Sequence, residues 1–125
     1  MSLNLHSVIN SENTNNELVW LQATEKINLK GYALVDRTFD SKENVSNEFR
    51  HIFFFPNLVV EKNDWVQLFT GNGKYQKVQS TDKSCFIHKL YWQSDKCVWN
   101  NNGGDTATLI KCALVKSVKV PAVKK

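Results

Sequence analysis

Histidine and cysteine are the residue types in this sequence that most often serve as nucleophiles, general bases or metal ligands. Their spacing forms no H-x-x-x-H or H-E-x-x-H pattern, which would place two imidazoles on one metal ion, and no C-x-x-C pair. Packed or half-exposed roles in the fold are the simpler interpretation, with one disulfide and one remaining thiol as the alternative for the cysteines. The six residues are His6, His51, His88, Cys85, Cys97 and Cys112.

Acidic residues could form a calcium site and glycines a phosphate-binding loop, but neither motif is complete. Asp36, Asp40 and Glu43 supply oxygen ligands of the kind that calcium prefers, but their run lacks the glycine and ligand spacing of an EF-hand loop. Gly71-x-Gly73 has no third glycine and no following helix, so it predicts a hairpin turn rather than a phosphate cradle. We therefore expect no catalytic site, no metal and no cofactor.

Short strands are the elements that must position these residues. Runs rich in Val, Ile, Thr and aromatic residues alternate with turn residues, and no stretch has a sustained helical period. This pattern predicts an all-β fold, specifically an antiparallel β-sandwich of about eight strands with 38–47 as a long loop. The candidate strands are 3–10, 18–23, 28–36, 49–55, 64–70, 84–92, 106–111 and 113–120. The residues expected to fill its core are Trp20, Trp65, Trp92, Trp99 and the cluster 53–55.

The composition bounds the size and the class of the protein. With 125 residues, of which 42% are hydrophobic, the chain is long enough for one domain with its own core. The longest apolar cluster, Ile52 to Phe55, ends at Pro56 and is far shorter than the roughly 20 residues that span a bilayer. We therefore expect one folded domain without a transmembrane segment.

The net charge of +4 is concentrated at the C-terminal end. Residues 111–125 carry five lysines and no acid, so residues 1–110 have a net charge of −1. Arg37 and Arg50 are the only arginines, and arginine is the residue that reads guanine bidentately, so the composition argues against sequence-specific DNA recognition. The end of the chain is either a solvated tail or an arm that would contact phosphate. The lysines of such an arm are Lys116, Lys119, Lys124 and Lys125.

Three segments carry motifs in a recognisable order. The first is the run 29–36, LKGYALVD, and the second is Phe55-Pro56 followed by the run 65–73, WVQLFTGNG. The third comprises LYW at 90–92, VWNN at 98–101 and GDTATL at 104–109. In sequence and spacing they resemble the motifs of the lamin tail domain, also called the intermediate filament tail domain, in its bacterial form. The resemblance covers about residues 3–118.

The resemblance implies a compact immunoglobulin-like β-sandwich and a module that does not catalyse a reaction. Lamin members serve protein interaction and have been linked to DNA, whereas bacterial members usually accompany other domains in exported or envelope-associated enzymes. The resemblance therefore favours an extracytoplasmic or envelope-associated location, although no export signal precedes the first strand. We expect the domain to comprise residues 1–118, followed by a basic tail or linker over residues 119–125.

The segment from Tyr91 to Asp105 has two interpretations. In the structural one, the tryptophans fill the core and the asparagines and the aspartate bond backbone groups of a turn. In the functional one, aromatic and amide side chains form a recognition surface for protein, glycan or unpaired bases. The candidate binding residues are Tyr91, Trp92, Trp99, Asn100, Asn101 and Asp105.

These observations predict a non-enzymatic protein-interaction or tethering module that forms part of a larger polypeptide. The alternative is a weak, sequence-independent nucleic-acid-binding module that acts through the Lys-rich end. The third hypothesis is an enzyme of unknown type, and assays against phosphodiester, ester and glycosidic substrates would reveal it.

Overall fold

The computed structural model describes residues 2–39, 45–99 and 106–123, and this part of the chain is all-β, as predicted, with no helix. Alternation of apolar and polar residues accounts for the strands, since successive side chains of a strand point to opposite faces. The strands are β1 (Leu3–Ile9), β2 (Leu18–Ala23), β3 (Ile27–Asn28), β4 (Tyr32–Phe39), β5 (Val45–Phe54), β6 (Val59–Val60), β7 (Trp65–Phe69), β8 (Gln76–Gln79), β9 (Phe86–Tyr91) and β10 (Thr106–Lys111).

The strands form three sheets. A five-stranded sheet has the order β1-β2-β7-β9-β8, a three-stranded sheet has the order β10-β4-β5, and β3 pairs with β6. All pairs are antiparallel except β7 and β9, which run parallel with Trp65 opposite Ile87. The prediction of a wholly antiparallel sheet is therefore wrong at this pair. In the sheet β9 lies between β7 and β8, so the segment that joins β7 to β8 must pass β9. Gly71-x-Gly73 lies in that segment, and the predicted hairpin turn is therefore also wrong.

One hydrophobic cluster joins the three sheets. Leu21 and Val66 come from the five-stranded sheet, Leu34 from the three-stranded sheet and Val60 from the short pair, and all four are fully buried. Because one cluster takes side chains from every sheet, the sheets share a single core.

The predicted strand 28–36 is divided in two. Gly31 has a φ of 96°, a conformation that residues with a side chain rarely adopt, and it separates β3 from β4. The predicted loop 38–47 is wrong at both ends, because β4 continues to Phe39 and β5 begins at Val45, while residues 40–44 lie outside the described residues. Among the described residues, the sequence pattern also missed β6 and β8.

The predicted strand 113–120 is wrong. Cys112 donates its backbone N–H to the carbonyl of Gly31, but residues 113–123 form no strand and are exposed. Val and Leu give this segment a high strand propensity, yet a strand also needs a neighbour that satisfies its backbone groups. We call residues 113–123 the C-terminal arm.

Candidate functional site

An aromatic groove lies on the outer face of the five-stranded sheet. Val19 and Leu21 of β2 point into the core, so Trp20 between them points outward, and Trp65 of β7 faces the same way. The two indole rings meet edge to face with centroids 5.5 Å apart. Beside them is a cavity of about 320 Å³, whose walls also include Ile9 and Ile87.

A β-bulge places a histidine on the rim of this groove. The register of β1 against β2 shifts between Leu5 and Ser7, so His6 is the inserted residue. Its ring lies edge to face against Trp65, with centroids 5.1 Å apart. Ser7 and Ser80 add hydroxyl groups to the lining. The groove thus has an aromatic floor with hydrogen-bonding groups at its edge.

The sequence expectation placed Trp20 and Trp65 in the core, and the structure corrects it. Both side chains are half-buried on the outer face, because their neighbours along the strands, not they, fill the core. Trp20-x-Gln22 and Trp65-x-Gln67 place a glutamine two residues after each tryptophan, hence on the same face of the strand. That repeated Trp-x-Gln pattern was the available signal for an outward face.

A second aromatic pair extends this face. Phe69 of β7 and Tyr91 of β9 are opposite each other in the parallel ladder, and their rings stack at 5.3 Å with an interplanar angle of 18°. Gly73 passes so close to the Tyr91 ring that a side chain at residue 73 would collide with it. Tyr91 is thus a candidate binding residue on the same outer face as Trp65.

Trp92 and Trp99 have a different environment. Trp99 is only 6% exposed and belongs to the core cluster, and Trp92 packs against that cluster from its edge. Their rings meet edge to face with centroids 6.3 Å apart, and Phe53 lies 5.6 Å from Trp92. These contacts agree with the structural interpretation of the tryptophans, so Trp99 is not available as a surface for recognition.

Two of the candidate lysines are described by the structure, and neither lines this face. Lys116 and Lys119 are exposed on the C-terminal arm. The remaining candidates lie outside the described residues, and they are Asn100, Asn101, Asp105, Lys124 and Lys125.

Sequence reasoning missed a chain of hydrogen bonds from Asp64 through His88 to Tyr75. Asp64 and His88 are buried, and the His88 Nε2 to Asp64 Oδ2 distance is 2.9 Å. With the proton on Nε2, His88 donates to Asp64 and its Nδ1 accepts the Tyr75 hydroxyl at 2.8 Å. The residues are 24 and 13 positions apart, so no local motif signals the chain.

This chain has the order of an acid, histidine and hydroxyl relay, but its electrostatics favour a structural role. Burial, and next the charge of Asp64, raise the pKa of Tyr75 above its ordinary value, so the phenol remains a hydrogen-bond donor. A tyrosine nucleophile would need a lowered pKa, and the charge of Asp64 acts against that. We therefore interpret the chain as a structural brace, in which the buried Asp64 and His88 link the start of β7 to β9.

A second buried carboxylate joins three loops. Oε1 of Glu17 accepts the Thr70 hydroxyl at 2.6 Å and the backbone N–H of Val98 at 2.8 Å. Burial, and then the charge of Glu17, raise the pKa of the nearby Cys97 thiol. This shift disfavours the thiolate, which is the reactive form of a cysteine. All three cysteines have free thiols, and they are Cys85, Cys97 and Cys112.

Within the described residues, no three His, Cys, Asp or Glu side chains are grouped so as to hold a metal ion. In the same part of the chain, no helix is long and apolar enough to cross a membrane. No protein-family model, curated protein or solved structure matches this chain.

Proposed function

We propose that this chain is a protein-interaction or tethering module without catalytic activity, forming part of a larger polypeptide. The observation that carries the proposal is the open groove between Trp20 and Trp65 on the outer face of the five-stranded sheet. Protein interfaces typically have aromatic side chains at their centre and polar groups around them. Here His6 and Ser7 supply part of that rim.

Protein is the partner class that this groove suits best. The floor of the groove is apolar, and its lining residues include no Lys, Arg, Asp or Glu. A partner would therefore bind it mainly by burying apolar surface. Strong binding to the phosphates of a nucleic acid would need cations there.

We also propose that the fold is an immunoglobulin-like β-sandwich of the lamin-tail type. In support, the five-stranded and three-stranded sheets share one core cluster. The motif residues occupy structural positions: Gly31 separates two strands, Thr70 bonds the buried Glu17, and Trp99 is in the core.

The test of the groove compares capture of a partner by matched variants. The immobilised domain is exposed to a lysate of its source organism, and captured proteins are quantified by mass spectrometry. We expect Trp65→Ala to lose about 2 kcal/mol of binding free energy, roughly 30-fold in affinity, for a partner that fills the groove. Phe54→Ala is the control, because Phe54 is an exposed aromatic residue of the three-stranded sheet. Equal capture by wild type and Trp65→Ala, with both folded, would refute the proposal.

The exposed lysines of the C-terminal arm favour a second candidate function, weak and sequence-independent nucleic-acid binding. Lys116 and Lys119 are exposed, and the sequence has no acid after Asp105 to neutralise them. Binding of this kind weakens steeply with salt, because cations on the protein release counterions from the phosphates. We expect removal of residues 116–125 to abolish binding to labelled single-stranded DNA in a fluorescence anisotropy titration. Binding that survives the truncation would exclude the arm as its site.

A further inference from the structure

The C-terminal arm exposes an unusual amount of apolar surface. Its five large aliphatic side chains are 76–96% exposed, although they occur within ten residues. They are Leu114, Val115, Val118, Val120 and Val123. Soluble proteins rarely expose contiguous apolar surface of this kind unless it binds a protein, a ligand or a membrane. The arm is therefore a candidate binding segment, distinct from the aromatic groove.

Lysines are interleaved with these aliphatic side chains. Lys116 lies between Val115 and Val118 in the sequence, and Lys119 lies between Val118 and Val120. Both lysines are exposed. The segment 111–125 carries five lysines and no acid, so no side chain within it offsets its positive charge. The arm thus presents apolar and cationic groups together on one short stretch of exposed chain.

A ligand that matches the arm must use both kinds of group. The phosphates of a nucleic acid attract lysines, but they give the aliphatic side chains nothing to pack against. The surface of an anionic bilayer offers both, because its headgroups are negative and an apolar side chain reaches the acyl chains within about 5–10 Å. Lysine suits this boundary, since its carbon stem lies along apolar surface while its ammonium group stays with the headgroups.

We propose that the C-terminal arm binds the surface of anionic lipid bilayers. Its aliphatic side chains lie at the boundary between headgroups and acyl chains, and its lysines lie among the headgroups. The arm rests on the bilayer rather than crossing it, because lysines interrupt its aliphatic stretch. The groove between Trp20 and Trp65 takes no part in this contact, so the proposal goes beyond the proposed function and does not depend on it.

Sedimentation with lipid vesicles tests the contribution of charge. The 125-residue chain is mixed with vesicles of phosphatidylcholine and phosphatidylserine, or of phosphatidylcholine alone, and the bound fraction is measured. Each lysine near an anionic surface contributes about fivefold to the partition coefficient, so Lys116→Gln with Lys119→Gln should lower it roughly 25-fold. Lys62→Gln with Lys74→Gln removes the same charge from exposed positions outside the arm, and should lower it less than about twofold.

A second pair of variants tests the apolar contribution at constant charge. Val118→Thr with Val120→Thr replaces a methyl group by a hydroxyl group at each position, and should lower partition onto the phosphatidylserine vesicles at least about threefold. Binding to labelled single-stranded DNA should not change, because phosphates respond to the lysines. Val8→Thr with Val59→Thr is the control, since both valines are exposed but belong to β1 and β6, and it should leave vesicle binding unchanged.

Three results would overturn the proposal. The first is a wild-type chain that does not bind the phosphatidylserine vesicles, and the second is equal binding to the two kinds of vesicle. The third is equal vesicle binding by wild type and by the Val118→Thr, Val120→Thr variant, which would leave the arm as a cationic segment only. A chain that binds the DNA but neither kind of vesicle would assign the arm to nucleic acid. Thermal melting confirms that each variant is folded before its binding is compared.

Discussion

Among individual residues, Asp64 is a buried carboxylate that is stabilised by hydrogen bonds from its neighbours. It is buried, and burial alone would raise the pKa of its carboxyl group. The hydrogen bond with His88, and then the N–H groups of Phe86 and Glu61, reverse this effect and lower the pKa below 3.8. The charged form of Asp64 is therefore stabilised by the folded structure. A variant that loses the charge leaves His88 without its carboxylate partner.

We expect Asp64→Asn to lower the free energy of unfolding by about 3 kcal/mol at neutral pH. The depressed pKa in the folded state means that the charge adds stability above the unfolded value, near 3.8, and that this contribution is lost as the pH falls through the folded value. The difference between wild type and variant should therefore shrink below pH 3.8. Urea unfolding at several pH values measures it.

Asp95→Asn is the matched control for this experiment, because Asp95 is exposed and bonds only the side chain of Asn72 among the described residues. We expect it to change stability by less than about 0.5 kcal/mol. Equal effects of Asp64→Asn and Asp95→Asn at neutral pH would contradict the role assigned to Asp64.

At the scale of elements, the connection after β9 is fixed by a buried carboxylate and a buried ring. Glu17 accepts the N–H of Val98, and Trp99 packs into the core beside Trp92. Neither contact belongs to a strand ladder. The connection is thus held by side chains from distant parts of the sequence, which makes it sensitive to single substitutions.

Trp99→Ala should lower the free energy of unfolding by about 3–5 kcal/mol, because it removes a buried aromatic side chain and leaves a cavity. Thermal melting followed by circular dichroism measures the effect. Phe54→Ala is a suitable control, since Phe54 is 68% exposed and its truncation should cost less than about 1 kcal/mol. An unchanged melting temperature for Trp99→Ala would contradict the burial of Trp99 and favour its role as a surface residue.

At the scale of the whole molecule, the two candidate binding surfaces lie on different sides. The groove between Trp20 and Trp65 is on the outer face of the five-stranded sheet, whereas the C-terminal arm follows β10 of the three-stranded sheet. Lys116 and Lys119 are exposed on the arm and do not line the groove. A protein partner in the groove and a nucleic acid on the arm would therefore bind independently.

The sequence by itself determined the all-β class and several strands. The predicted strands 18–23 and 106–111 coincide with β2 and β10, because alternating side chains and flanking polar residues define a strand locally. The expected burial of Trp92 and Trp99 also agrees with the structure.

Only the tertiary structure decided which strands are neighbours and which faces are covered. The parallel pairing of β7 with β9 brings His88 to Asp64 across 24 positions, and the packing of Val66 into the core leaves Trp65 on an open face. Alternation tells which residues share a face, but not whether another sheet covers that face. For the same reason, residues 113–120 have the composition of a strand and yet pair with none of the strands that the structure describes, since a strand requires a partner that local sequence does not specify.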